Sequence, residues 1–160
     1  MKVEWMTVGP FQENSYLVID ESTGKAILVD PGDEGERIVT MVKRAGVQLE
    51  AVWLTHAHLD HIGGVSAVRR VYNAPVLLHP DDLAIYRRGS QAAAAYGVPF
   101  EQPADPDGAL ADGQVLELGR GRFHVHHTPG HAPGHVVFLG DGIMLGGDLL
   151  FAGSIGRIDL

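Results

Sequence analysis

Apolar residues along the chain fall into short runs separated by turn formers, and the spacing inside each run sorts strand from helix. VEWMTV (3–8), SYLVID (15–20) and KAILVD (25–30) are brief and apolar with β-branched residues, so each predicts a strand. Residues 21–24 (ESTG) join the second and third as a hairpin. In GERIVTMVKRAG (35–46), Ile38, Met41, Val42 and Ala45 recur at helical spacing and Gly46 marks the stop. AVWLT (51–55) reads as a buried strand, HIGGVSAVRRVY (61–72) as a helix weakened by two glycines, and APVLLH (74–79) as a strand. Residues 80–112 predict a helical or looped excursion, with DDLAIYRR and QAAAAYG as its short helices. QVLELG, RFHVHHT and HVVFLG predict further strands, and GIMLGGD closes the sheet pattern. No repeat or linker breaks the series, so residues 1–160 are expected to form one domain of sheet layers covered by helices.

Charge narrows the function classes. Twelve Lys and Arg stand against 20 Asp and Glu, a formal net charge of −8. Such a surface repels phosphate backbones and no basic run offsets it, so nucleic acid is not an expected partner. The 160 residues hold no cysteine, which removes disulfides, thiolate ligands and a cysteine nucleophile together. The start, MKVEWMTVGPF, lacks the pattern of a secretory signal, and no apolar window is long enough to span a bilayer. A cytoplasmic protein without a membrane partner is the expectation.

Candidate chemistry is concentrated in THAHLDH (55–61), which carries three of the nine histidines. In extended backbone, positions two apart lie on one side, so His56 and His58 can aim at one point as they leave the strand AVWLT. Asp60 continues the alternation and His61 stands where the next helix begins. That arrangement suits two neighbouring cations, one on the histidine pair and one on Asp60 and His61. Nitrogen and oxygen donors without sulfur suit zinc first, with iron or manganese also compatible. More donors are then required at other strand ends. His131 lies between two Pro-Gly pairs in HHTPGHAPGH (126–135), and Asp148 ends the apolar run of LGGDLLF (145–151). A carboxylate beside Leu149, Leu150 and Phe151 is costly to desolvate unless a positive group meets it.

H-x-H-x-D-H (His56, His58, Asp60, His61), with His131 of the PGH segment and Asp148 of the GD segment, resembles the metallo-β-lactamase-fold superfamily. PFQENSYL (10–17), VDPG (29–32), HTPGHAPGH (127–135) and FAGSIGRIDL (151–160) resemble its glyoxalase II-like branch, the hydroxyacylglutathione hydrolases and their short relatives. The resemblance implies an α+β fold, a four-layer αββα sandwich with metals at one edge between two sheets. It implies a first metal site on His56, His58 and His131 and a second on Asp60 and His61, bridged by Asp148. The branch uses one more histidine after its GR-x-D motif. This sequence stops at Leu160, directly after GRIDL, and has no histidine beyond His135. The chain is therefore expected to be an incomplete version of a longer protein, lacking the C-terminal part of the sandwich. The glutathione-recognising basic residues of the full-length family would fall in the same absent portion.

The implied activity is hydrolysis of an acyl thioester such as an S-acylglutathione. Divalent ions lower the pKa of water from about 15.7 to near 7, and Asp60 and Asp148 orient the nucleophile and take its proton. The rival reading is a persulfide dioxygenase of the same fold, with a single iron on His56, His131 and Asp148. Lactonases and a metal-binding structural module complete the alternatives. Other polar positions carry blander expectations: His124 and His126 on the exposed side of a strand, His79 at the surface, DDLAIYRR as a solvated helix and His135 in a turn or packing role. His127 could orient a ligand, Asp30 could support the ligands by hydrogen bonds, and Arg157 and Tyr16 could lie at the cleft.

Overall fold

The computed structural model describes residues 1–158. Chain order is β1 (Lys2–Val8), β2 (Glu13–Asp20), β3 (Lys25–Val29), α1 (Gly35–Ala45), β4 (Gln48–Trp53), α2 (Leu59–Ile62), α3 (Val65–Val71) and β5 (Val76–Leu78). A short 3-10 turn, Pro80–Asp82, leads into α4 (Leu83–Tyr86) and α5 (Gly89–Tyr96). Then come β6 (Gly108–Ala109), β7 (Val115–Leu118), β8 (Gly121–His127), β9 (Val136–Gly140) and β10 (Ile143–Leu145). A second 3-10 turn, Gly147–Leu149, precedes the hairpin β11 (Leu150–Phe151) and β12 (Ser154–Ile155).

Strands β1 to β6 form one sheet in sequence order, antiparallel from β1 to β3 and parallel from β3 to β6. Strands β7 to β10 form a second, antiparallel sheet. Side chains alternate across a strand, and here both faces of the first sheet are apolar. Leu17, Leu28, Val52 and Leu54 pack under α1 and α3 with Ile38, Val42, Val65 and Val68. Val18, Ile27, Val29 and Trp53 face the other way, onto Phe123, Val125, Val136 and Phe138 of the second sheet. The Trp53 ring lies 5.6 Å from Phe123 and 5.1 Å from Phe138, centroid to centroid, wedged between the two sheets. On the far face of the second sheet His124, His126, Leu139 and Met144 are exposed, so the described residues build three of the four expected layers.

The predicted helix 61–72 is instead two helices, broken at Gly63 and Gly64. The reason is close packing of backbone on backbone. Gly64 N donates to Pro31 O at 2.8 Å, and a Cβ on Gly63 would stand 2.6 Å from Gly32 O. Strand 51–55 stops at Trp53, because beyond Leu54 the amide of Thr55 leaves the ladder for a side chain. The parallel strands β3, β4 and β5 all run toward one edge of the sheet, and the loops that follow them carry Asp30, residues 55–61 and Asp82. In open parallel sheets that edge is where ligands bind.

Candidate metal centre

Asp30 fixes the start of the histidine loop. It ends β3 in the left-handed region (φ 47), which aspartate tolerates better than most residues. Its buried carboxylate accepts from Thr55 N at 2.8 Å and from Thr55 Oγ1 at 2.6 Å, and pairs with His61 Nδ1 at 3.0 Å. Asp30 thus holds both ends of the loop from beneath, by hydrogen bonds of the kind that orient metal-binding histidines.

These bonds assign the ring tautomers. His61 Nδ1 donates to Asp30, His56 Nδ1 faces Thr55 Oγ1 at 3.1 Å, and His131 Nδ1 donates to the Arg157 carbonyl at 2.8 Å. In all three rings Nε2 is left to point inward. The Nε2 atoms of His56 and His61 are buried without a hydrogen-bond partner. His58 Nδ1 and His131 Nε2 face each other at 2.9 Å, and the donor nitrogens of His56, His58 and His131 fall within 4.8 Å of one another. Burial pushes His56 well below the ordinary imidazole value, and the surrounding rings add to it; the same causes bring His58 to about 4. His56 and His58 are thereby driven toward the uncharged form, with their ring nitrogens and that of His131 converging.

Beside them the environment turns acidic. Asp148 places Oδ1 3.3 Å from His61 Nε2 and Oδ2 3.3 Å from His131 Nε2, so each of its oxygens faces a different cluster. Asp60 Oδ2 lies 3.9 Å from His61 Nε2, and Glu13 Oε1 3.8 Å from His61 Nδ1. Burial alone would lower His61, but Asp148 and Asp30 outweigh it and hold its pKa well above the ordinary value. Desolvation pushes the Glu13 carboxyl up despite His61. Asp148 is held below the usual carboxylate value, because His61 and His131 outweigh its burial.

All six side chains singled out in the sequence therefore come together: His56, His58, Asp60, His61, His131 and Asp148. The converging ring nitrogens of His56, His58 and His131, plus a carboxylate shared by two imidazoles, fit divalent cations. The nitrogen and oxygen donor set suits zinc, iron or manganese. A cavity of about 490 Å³ opens beside His58, Asp60, His131 and Asp148, with Phe11, Leu59, Ile85, Ala92, Tyr96 and Arg157 on its walls. A neighbouring one of about 330 Å³ reaches Asp60, His61 and Asp148 past Tyr16.

Other expectations need correction. His79 is buried, not a surface residue, and stacks on His127 with centroids 4.2 Å apart and planes 9° from parallel. Parallel rings aim their lone pairs side by side. His127 Nε2 donates to Pro133 O at 2.8 Å and His79 Nδ1 accepts from Asp81 N, so this pair, with Asp81, reads as a brace. His135, by contrast, is fully buried with its ring 5.0 Å from His56, in keeping with the packing role expected of it. DDLAIYRR is not simply solvated: Tyr86 is buried and Asp82 has no exposed surface. Nothing in the sequence separated Asp82 from its exposed neighbour Asp81; Glu13 was likewise passed over within PFQENSYL. The aspartate of the GR-x-D motif, Asp159, lies outside the described residues.

Residues 8–160 match the model of the metallo-beta-lactamase superfamily. The chain is 38% identical to a probable metallo-hydrolase, YqgX, of Bacillus subtilis, covering 100% of this chain and 76% of the relative. It is 32% identical to the hydroxyacylglutathione hydrolase GloC of Haemophilus influenzae, over 99% of this chain and 76% of that protein. A crystal structure of TTHA1623 in a di-iron-bound form superposes with a TM-score of 0.89 at 42% identity, over 98% of this chain and 77% of the other. With the match running from Val8 through the whole donor set, the chain belongs to the metallo-β-lactamase superfamily.

Proposed function

We propose that this metallo-hydrolase cleaves acyl thioesters of the S-acylglutathione type at a two-ion centre, with His56, His58 and His131 on one ion, Asp60 and His61 on the other, and Asp148 between. The observation that carries the reading is Asp148, whose two oxygens each stand 3.3 Å from a different histidine at the mouth of the larger cavity. Divalent ions held by these residues would supply a nucleophile at neutral pH and polarise the carbonyl. Asp60 and Asp148 orient the attacking water and accept its proton. The apolar wall of Phe11, Ile85, Ala92 and Tyr96 takes the acyl chain, and Arg157 at the same cavity offers a cation to a carboxylate of the thiol moiety. A thiolate departs without needing a proton, which makes a thioester a natural substrate for hydroxide attack. Similarity to a hydroxyacylglutathione hydrolase supports the same class.

The test is steady-state hydrolysis of an S-acylglutathione by the zinc-loaded protein, with a β-lactam and a simple lactone alongside. The expected result is thioester turnover that disappears in His58→Ala and His131→Ala. Turnover that survives both changes, or a clear preference for the lactam, overturns the reading. A second reading, a one-iron persulfide dioxygenase on His56, His131 and Asp148, is favoured by the 3.3 Å approach of Asp148 to His131. Oxygen uptake with glutathione persulfide by the iron-loaded protein separates the two.

A further inference from the structure

Asp82 stands at the end of the 3-10 turn after β5, at the N-terminal boundary of α4, where an aspartate ordinarily caps the helix. Here its side chain accepts no bond from α4. The carboxylate turns the other way and is wholly buried. Its Oδ2 accepts from Ala57 N at 2.8 Å and its Oδ1 from Gly134 N at 2.6 Å. Ala57 lies between His56 and His58, and Gly134 lies three residues beyond His131. We propose that Asp82 is a positioning residue for the metal centre, one carboxylate spanning the two loops that bring His56, His58 and His131 together. The inference rests on the metal reading above and extends it to a residue outside the donor set.

Burying a carboxylate is costly, and the two charge-assisted bonds to backbone N–H groups offset that cost only while both loops keep their places. Burial pushes the Asp82 carboxyl up, and the Gly134 and Ala57 amides oppose the rise. Residue 134 is glycine for the same reason: a Cβ there would stand 2.7 Å from Asp82 N and 2.8 Å from Oδ1, forcing the loop off the carboxylate. The His79–His127 stack and the His127 bond to Pro133 O brace the same loop from the turn that carries Asp82. Asp30 and Asp82 thus grip the histidine loop from either side, at Thr55 and at Ala57.

The experiment measures zinc affinity by competition with a chromophoric chelator, and the visible spectrum of the cobalt-substituted protein, for wild type, Asp82→Asn and Gly134→Ala. Asparagine keeps the volume but turns an amide N–H against one of the two backbone donors. The expected result is zinc binding weakened about 10-fold or more in both variants, with a shifted cobalt spectrum. Asp20→Asn is the structural control: Asp20 is buried and accepts from Ser22 N and Arg120 N, at the end of β2 remote from Glu13 and the site. It should lower the melting temperature without moving zinc affinity. Affinity within about twofold of wild type in Asp82→Asn or Gly134→Ala overturns the inference, as does equal weakening in Asp20→Asn. If one of the two loop variants does not fold, the other decides. A wild-type chain without measurable zinc affinity overturns the metal centre itself, which is a different failure.

Discussion

The two halves of the candidate metal centre each draw two side chains from one heptapeptide but carry opposite electrostatics. His56 meets a threonine hydroxyl and His131 donates to a backbone carbonyl, Asp148 approaches this half at His131, and burial drives His56 and His58 toward the neutral form. His61, three residues on, is ringed by Asp30, Asp148, Asp60 and Glu13 and is driven toward the protonated form. The difference teaches that ligand identity alone does not set affinity. A cation entering the imidazole half meets lone pairs already free, whereas one entering the carboxylate half must displace the proton on His61. Binding to that half is therefore the more pH-dependent of the two.

Removing the group common to both halves has the largest effect. Asp148→Asn is expected to lower kcat/KM by about a thousandfold or more, because water whose pKa returns toward 15.7 supplies almost no hydroxide at neutral pH. Metal content per chain, measured by elemental mass spectrometry, should fall in the same variant; full occupancy with unchanged turnover would erase the special place given to Asp148. Next comes Phe138→Ala, which empties space beside Trp53 and should cost about 3–5 kcal/mol in chemical denaturation. Because it loosens the sheets that carry both halves, it should not change their relative affinities.

Asp30→Asn sharpens the contrast. It strips charge from under His61 and should weaken metal binding there by about 10- to 100-fold, with a smaller effect on the His56, His58 and His131 side. Titration with two equivalents of cobalt, followed by absorbance, resolves the halves; equal weakening of both would dissolve the distinction. Acid tests it from the other direction. His58 and His135 lie near 4 in the folded chain against an ordinary 6.5, so between those values the unfolded chain binds more protons. In chelator, denaturation midpoints should fall as pH drops from about 6.5 toward about 4, with the raised Glu13 offsetting part of the fall. His61, raised, gives stability that is complete below 6.5 and is lost only as pH climbs through its folded value, so it does not mask this window. A flat profile would mean the buried rings are not held neutral. The smallest effect is expected for His126→Ala on the exposed face of β8, within about 0.5 kcal/mol and with metal affinity unchanged.

Strand order was legible because the central strands of the first sheet are apolar on both faces and those of the second alternate apolar with polar. The clustering of the six donor side chains was legible because four of them share one heptapeptide and the other two stand in short Gly-marked loop motifs. What escaped was decided by tertiary approach. Nothing local tells that Gly63 must admit the Gly32 carbonyl, or that Asp82 looks back at two loops 25 and 52 residues away while Asp81 faces solvent. The two-residue strands β6, β11 and β12 are too short to show a period, and only their pairing partners define them. The roles of His79 and His127 escape the sequence for a related reason, since each has its reason to be there only in the other's ring.

Trp53 ends the strand that delivers His56 and is closed in by two aromatic rings, while Trp5, the other tryptophan of the chain, is 66% exposed. The molecule therefore contains two optical probes of contrasting accessibility, one quenchable from solvent and one shielded three residues from the loaded loop. With Trp5 replaced by phenylalanine, emission from the remaining indole should report, without any label, how the tightening of the ligand shell is felt in the middle of the protein.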